Sequence, residues 1–144
     1  MKITGRQICL YRITLVEIRS KPSEGNPYWD HIIQIGFWDP DPYYILSEEG
    51  NDNDLIYSEV LQDVPPNNPQ QETWSPLDPC KPLILDKQYT VQVYDKDYGG
   101  EIIENADDYI GDVQFVPKDF LNSNEPTRII ESESIVVKLE LVWE

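Results

Sequence analysis

The sequence predicts an all-β fold, an antiparallel β-sandwich of about eight strands, on three observations. Short runs rich in β-branched and aromatic residues recur along the chain, several alternating apolar with polar. The connections between them are dense in Pro, Asn and Asp, the residues that set turn geometry. No stretch of ten or more residues carries a helical apolar period, and no internal repeat is present.

Residues 7–18 open the series, apolar on both alternating faces as in a central sandwich strand. Lys21-Pro22-Ser23-Glu24-Gly25-Asn26-Pro27 is turn chemistry, and residues 32–38 read as a second strand. That run halts at Asp39-Pro40-Asp41-Pro42, because proline donates no ladder hydrogen bond and restricts the residue before it. Residues 43–46 and 55–61 are short strands around a polar excursion whose Asn51-Asp52-Asn53-Asp54 run reads as a solvated loop. A proline-rich stretch containing Trp74 follows, then a strand at 89–94 and another at 109–116. A single helical turn is expected at 117–121 and a closing strand at 135–143, where Val137, Leu139, Leu141 and Trp143 alternate with Lys138 and Glu140.

At 144 residues the chain is read as one domain, 1–144, able to bury roughly 68–70% of its unfolded surface without metal or disulfide staples. The formal net charge of −16 excludes nucleic acid as a partner and opposes spontaneous adsorption to anionic lipid. The charge is uneven: residues 31–80 hold ten Asp or Glu and no Lys or Arg. Such a surface keeps a protein solvated, or forms a docking face for a basic partner. Arg12, Glu17 and Arg19 interrupt any signal-like apolar run, and no segment approaches a membrane span. Cys9 and Cys80 have no framework spacing, so free thiols in a reducing, cytoplasmic compartment are expected.

The most informative stretch is Tyr94-Asp95-Lys96-Asp97, followed ten residues later by Asp107-Asp108-Tyr109-Ile110-Gly111. A β-run ends in two aspartates spaced i, i+2, and a second acidic pair closes the loop just before the next strand. Crowded carboxylates repel one another, and a hard divalent cation with six to eight oxygen ligands is the usual reason to tolerate them. An EF-hand loop starting at Asp95 is a poor alternative, since its twelfth position is Ala106 and a β-run precedes it.

These residues resemble the C2 domain family, β-sandwiches that bind phospholipid in a calcium-dependent way. The third calcium loop of that family reads roughly aromatic-Asp-x-Asp, then Asp-x-Ile-Gly, which Tyr94-Asp95-Lys96-Asp97 and Asp108-Tyr109-Ile110-Gly111 match. Trp29-Asp30-His31-Ile32-Ile33-Gln34-Ile35 is similar to the family's Ser-Asp-Pro-Tyr-Val-x-Val after the first loop, which puts Asp30 on the first-loop aspartate and Glu24 six residues before it. The closing Val-x-Leu-x-Leu-x-Trp strand also fits, so the likeness spans residues 4–144. Four departures stand out: a long third loop that leaves Asp107 or Asp108 as ligand, Glu24 for Asp, His31 for Pro, and only a hint of the Asn-Pro-x-Trp segment at Asn68-Pro69 and Trp74.

The resemblance implies Ca2+ held by Glu24, Asp30, Asp95, Asp97 and Asp107 or Asp108, with Tyr28-Trp29 and Ile102-Ile103 at loop tips touching a phospholipid membrane or a protein partner. Asp39 and Asp41 are expected to lie roughly 20 Å away, at the far end of the 32–38 strand. Phosphoinositide specificity is not expected, because the basic strand patch it uses is missing from residues 31–80. Catalysis finds little support: His31 is the single histidine, neither cysteine has a histidine partner, and no Gly-rich nucleotide loop or zinc spacing is present. The expected function is therefore a non-enzymatic recognition module, cytoplasmic and peripheral to a membrane. The alternative is an adaptor subunit that uses its acidic surface.

Overall fold

Two four-stranded antiparallel sheets face each other in the computed structural model, which describes residues 7–19, 40–62, 64, 73–96, 108–123 and 127–143. In chain order the strands are β1 Ile8–Ile18, β2 Pro42–Glu48, β3 Ile56–Tyr57, β4 Lys81–Pro82, β5 Tyr89–Asp95, β6 Asp108–Phe115, β7 Thr127–Glu131 and β8 Ile135–Trp143. One sheet has the order β4-β1-β8-β7 and the other β3-β2-β5-β6.

The double-faced apolar character of the first strand has a specific cause. Against β8, Leu10 pairs with Leu141 and Arg12 with Glu140, then Leu15 with Val137 and Glu17 with Val136. Tyr11 and Val16 are thus extra residues, and each bulge shifts the pleat by one position. The residues that reach the core are Ile8, Leu10, Ile13, Leu15 and Ile18, two apart within each segment and three apart across each bulge. The closing strand needs no such device: Ile135, Val137, Leu139 and Leu141 alternate cleanly into the core.

In the facing sheet β5 alternates without interruption, Tyr89, Val91, Val93 and Asp95 inward, Thr90, Gln92 and Tyr94 outward. Tyr44 and Leu46 of β2 and Ile110, Val113 and Phe115 of β6 complete that wall. Gly111 of β6 packs directly against Ser134 and Ile135 at the start of β8. A Cβ there would run into the Ser134 side chain nearer than real Cβ atoms approach, so the position tolerates no side chain without displacement.

The outer edge of β2 is covered by an irregular strand. Leu55, Ser58, Leu61 and Val64 donate backbone N–H to Leu46, Tyr44, Pro42 and Pro40, three residues advancing for every two on β2. This stretched ladder satisfies the carbonyls of β2 along its whole length and closes an edge that would otherwise invite pairing. Trp74 then caps its lower end: fully buried, it sits edge-to-face on Tyr44 at 4.9 Å and donates Nε1–H to the Pro42 carbonyl at 3.3 Å.

Strands expected at 7–18, 43–46, 89–94, 109–116 and 135–143 are in place, and the helical turn is a 3-10 helix at Pro117–Ser123. The expected strand at 55–61 is regular only at β3, for the reason just given. The short β4 and the half-exposed β7 carry little apolar pattern, and nothing in the sequence announces them. The expected strand at 32–38 lies outside the described residues.

One expectation is corrected. Cys9 and Cys80 are joined in a disulfide, with Cα atoms 5.5 Å apart. Their sequence separation of 71 gives no hint of this, but β1–β4 pairing does: Cys9 lies opposite Pro82 and Leu10 opposite Lys81, which brings Cys80 alongside. The bond removes the ground for expecting free thiols and a reducing compartment.

Candidate functional site

Because the β3-β2-β5-β6 sheet is antiparallel, the start of β2, the end of β5 and the start of β6 share one rim. The register is direct: Asp95 lies opposite Pro42 on one side and Asp108 on the other. Asp95 holds the last inward position of its strand, where the pattern of Tyr89, Val91 and Val93 would call for another apolar side chain. Its relative exposure is only 2%, and that of Asp41, one residue before Pro42, is 5%.

The two are joined through the backbone. Asp41 N–H donates to Asp95 Oδ1 at 2.8 Å, and Lys96 N–H donates to the Asp41 carbonyl at 3.0 Å. The carboxylate therefore extends the β2–β5 ladder one step past its last residue, a charge-assisted bond that fixes the side chain. Pro42, which has no N–H, is anchored from the other side through its carbonyl, by Leu61 N–H and Trp74 Nε1–H. Buried carboxylates in neighbouring positions are costly unless hydrogen-bonded, ion-paired or coordinated to a cation.

Of the residues singled out from the sequence, Asp95 and Asp108 are thus brought together. Glu24, Tyr28, Trp29, Asp30, Asp97, Ile102, Ile103 and Asp107 lie outside the described residues. Among the described residues no group of three or more His, Cys, Asp or Glu is gathered tightly enough to hold a metal ion.

Asp41 is the correction. The sequence pattern sets it aside as remote, because it places a strand at 32–38 with Asp41 beyond its far end. The strand that pairs with β5 is instead Pro42–Glu48, which begins directly after Asp41 and so places it beside Asp95. A signal for this is present: Asp41-Pro42-Tyr43 repeats the Asp-Pro-Tyr wording of the first-loop motif literally, where Asp30-His31-Ile32 does not.

Just outside the same rim, the solvent face of the sheet carries aromatic rings. Tyr43, Tyr94 and Tyr109 stand opposite one another on β2, β5 and β6. Tyr43 and Tyr94 stack with centroids 5.7 Å apart, and Tyr109 meets Tyr94 edge-on at 5.4 Å. Tyr57 on β3 pairs with Ile45 and is the diagonal neighbour of Tyr43. A cavity of about 370 Å³ opens between Tyr43, Tyr57, Ser58, Val60 and Lys96. Tyr57 donates its hydroxyl to Asp54 Oδ2 at 2.8 Å, and Tyr109 donates to Asp112. The Asp54 bond raises the Tyr57 phenol above its ordinary value, and burial followed by the Asp112 bond does the same at Tyr109.

Solved structures share this architecture. The chain aligns over its whole length with the first C2 domain of plant Extended Synaptotagmin 1, at TM-score 0.53 and 13% identity, covering 97% of that chain. A calcium-bound structure of the paired C2 domains of Extended Synaptotagmin 2 aligns with 92% of this chain at TM-score 0.51 and 13% identity, over 45% of its own length. Human GIVD cytosolic phospholipase A2 aligns with 94% of this chain at TM-score 0.55 and 16% identity, but the chain spans only 17% of that enzyme. No family model and no curated protein matches the sequence. The fold is that of the C2 domains.

Proposed function

We propose that the chain is a non-catalytic C2-like recognition module that binds calcium at the β2–β5–β6 rim and through it docks onto a phospholipid surface. The observation that carries this reading is the buried Asp95 carboxylate at the rim, fixed by the backbone N–H of the equally buried Asp41, with Asp108 opposite it in register. The described donor set is oxygen only, which suits a hard cation such as calcium and not zinc or copper.

Asp41, Asp95 and Asp108 do not form a metal site by themselves; they would contribute to one completed by Asp97 and Asp107 from the same loop and by Glu24 and Asp30 from the preceding one. Bound calcium would supply positive charge that neutralises the rim and offers open coordination positions to phosphate oxygens. The protein's part is positional. The Asp41–Asp95 bond and the Trp74–Pro42 anchor hold these two aspartates in place on the sheet end. Tyr28, Trp29, Ile102 and Ile103 are the side chains suited to entering the headgroup layer. With a net charge of −16, attraction to anionic lipid must come from this rim alone.

Calcium titration by calorimetry, paired with sedimentation on phosphatidylserine–phosphatidylcholine vesicles, tests the proposal. Expected are a dissociation constant of about 10⁻⁶–10⁻³ M and vesicle binding that requires calcium. Both should be lost in Asp95→Asn/Asp97→Asn. No heat at millimolar calcium with an intact fold would overturn the calcium reading; binding to vesicles in chelator would overturn the coupling.

A further inference from the structure

The tyrosine face next to the rim is a second surface, and its chemistry differs from that of the carboxylates. Tyr43, Tyr94 and Tyr109 fill the row nearest the rim, and Tyr57 stands in the next row with Ile45, Gln92 and Asp112. The row beyond, Ser47, Thr90 and Gln114, is polar. Tyr57 is 65% exposed and Tyr109 48%, large values for rings fixed by hydrogen bonds on a sheet. Tyr and Trp are the residues most often found as rigid anchors in protein interfaces, because they bring a large contact area at low conformational cost.

Charge decides what such anchors hold. Each exposed ring is tied to a carboxylate, Tyr57 to Asp54 and Tyr109 to Asp112, so each end of the face combines an electron-rich ring with a full negative charge. Both phenols are raised above their ordinary value, so both rings are neutral at physiological pH. Residues 31–80, which supply β2 and β3, contain no Lys or Arg, and Lys96 is the cation beside the cavity among the described residues. The chain itself shows the complementary pairing elsewhere: Arg12 lies over Tyr11 and Arg128 over Phe120, each 5.5 Å from the ring centroid. A ring beside a carboxylate selects a cation, by attraction to the π face together with ion pairing.

We propose that this face docks an extended basic segment of a partner protein, with arginine or lysine side chains lying on Tyr109 and Tyr57 and pairing with Asp112 and Asp54. The two ends are three strand spacings apart, roughly 14 Å, which an extended chain covers in about four residues. Side chains four apart in an extended segment point the same way, so the preferred ligand carries its basic residues at i and i+4. This surface goes beyond the calcium reading and does not depend on it.

The test is fluorescence anisotropy with a labelled peptide of sequence Arg-Ser-Ser-Ser-Arg-Ser-Ser-Ser-Arg, in chelator and about 150 mM salt, where long-range charge effects are screened. Tyr57→Ala and Tyr109→Ala leave the net charge untouched and should each weaken binding about two- to five-fold, with the double variant losing roughly the product. Tyr57→Phe/Tyr109→Phe keeps the rings and should retain most of the affinity, which separates ring from hydroxyl and guards against a folding artefact. Equal affinity for wild type and the double alanine variant would overturn the proposal, leaving only general acidity. So would a double variant that binds the peptide normally but loses vesicle sedimentation, since the face would then serve lipid. Because the peptide assay contains no calcium, its failure is distinguishable from failure of the calcium site.

Discussion

Strand β5 has two polar ends, and they are built on opposite principles. At its start, Tyr89 is fully buried, stacked on Phe115 with centroids 5.6 Å apart. Its hydroxyl accepts from Ile84 N–H at 2.8 Å and donates to Glu48 Oε1 at 2.8 Å. That end is a neutral group satisfied from both directions by the chain itself. At the other end Asp95 is equally buried, but it is acidic, and its neighbours across the sheet rim are Asp41 and Asp108. The same strand therefore has one end optimised for the folded state and one where like charges are brought together. Conflict of that kind is expected at functional sites and is tolerated because the rest of the fold compensates.

If the acidic end is held against repulsion, whatever braces it should matter most. Trp74 is the brace, filling the core beneath Tyr44 and holding the Pro42 carbonyl. Trp74→Ala is expected to cost about 3–5 kcal/mol in denaturant unfolding, the largest effect of this series. It should also weaken calcium affinity, because Pro42 positions Asp41. A loss of stability with calcium affinity unchanged would show that the rim holds its shape without the core behind it.

What is legible in the sequence follows the same division. The neutral, core-forming parts are readable, since alternation of Val91, Val93, Val137, Leu139 and Leu141 is a local signal. So is the acidic loop, because Asp95 and Asp108 bracket it within a short span of chain. What escapes is everything set by pairing between distant segments. Asp41 belongs to the rim through its bond to a residue 54 positions away, and the Cys9–Cys80 bond closes 71 residues through a two-residue strand. The three-for-two ladder along β2 escapes too: residues 55–61 read as an ordinary strand, since no residue pattern announces a stretched pairing.

At the neutral end, Tyr89→Phe keeps the ring and removes only the hydroxyl, leaving Ile84 N–H and Glu48 without that partner. A loss of about 1–3 kcal/mol is expected, with no change in calcium affinity. The pH dependence sharpens the contrast. Burial, with a further contribution from Glu48, pushes the Tyr89 phenol up to about 12, against the opposing pull of the Ile84 N–H bond. A group whose folded value is raised contributes stability that is whole below its unfolded value, about 10, and is lost as pH climbs through the folded one. Wild-type stability should therefore fall between about pH 10 and 12, and Tyr89→Phe should flatten that fall. An identical alkaline profile in both proteins would assign the loss to other groups.

The smallest effect on stability, and the one with the most to say about the comparison, is expected at the acidic end. Asp95→Asn preserves the shape of the side chain and leaves an amide oxygen able to accept from Asp41 N–H, so the ladder extension survives. What disappears is one negative charge from a rim that also holds Asp41 and Asp108. In chelator the variant should match wild type within about 1 kcal/mol and lean towards higher stability, since relief of repulsion offsets the weaker hydrogen bond. With calcium added the order should reverse: a ligand that binds only the folded state raises the melting temperature of the wild type, and the variant should show little of that rise. A variant that is several kcal/mol less stable in chelator would mean that Asp95, like Tyr89, is a structural group. The two ends of β5 would then differ in charge but not in purpose.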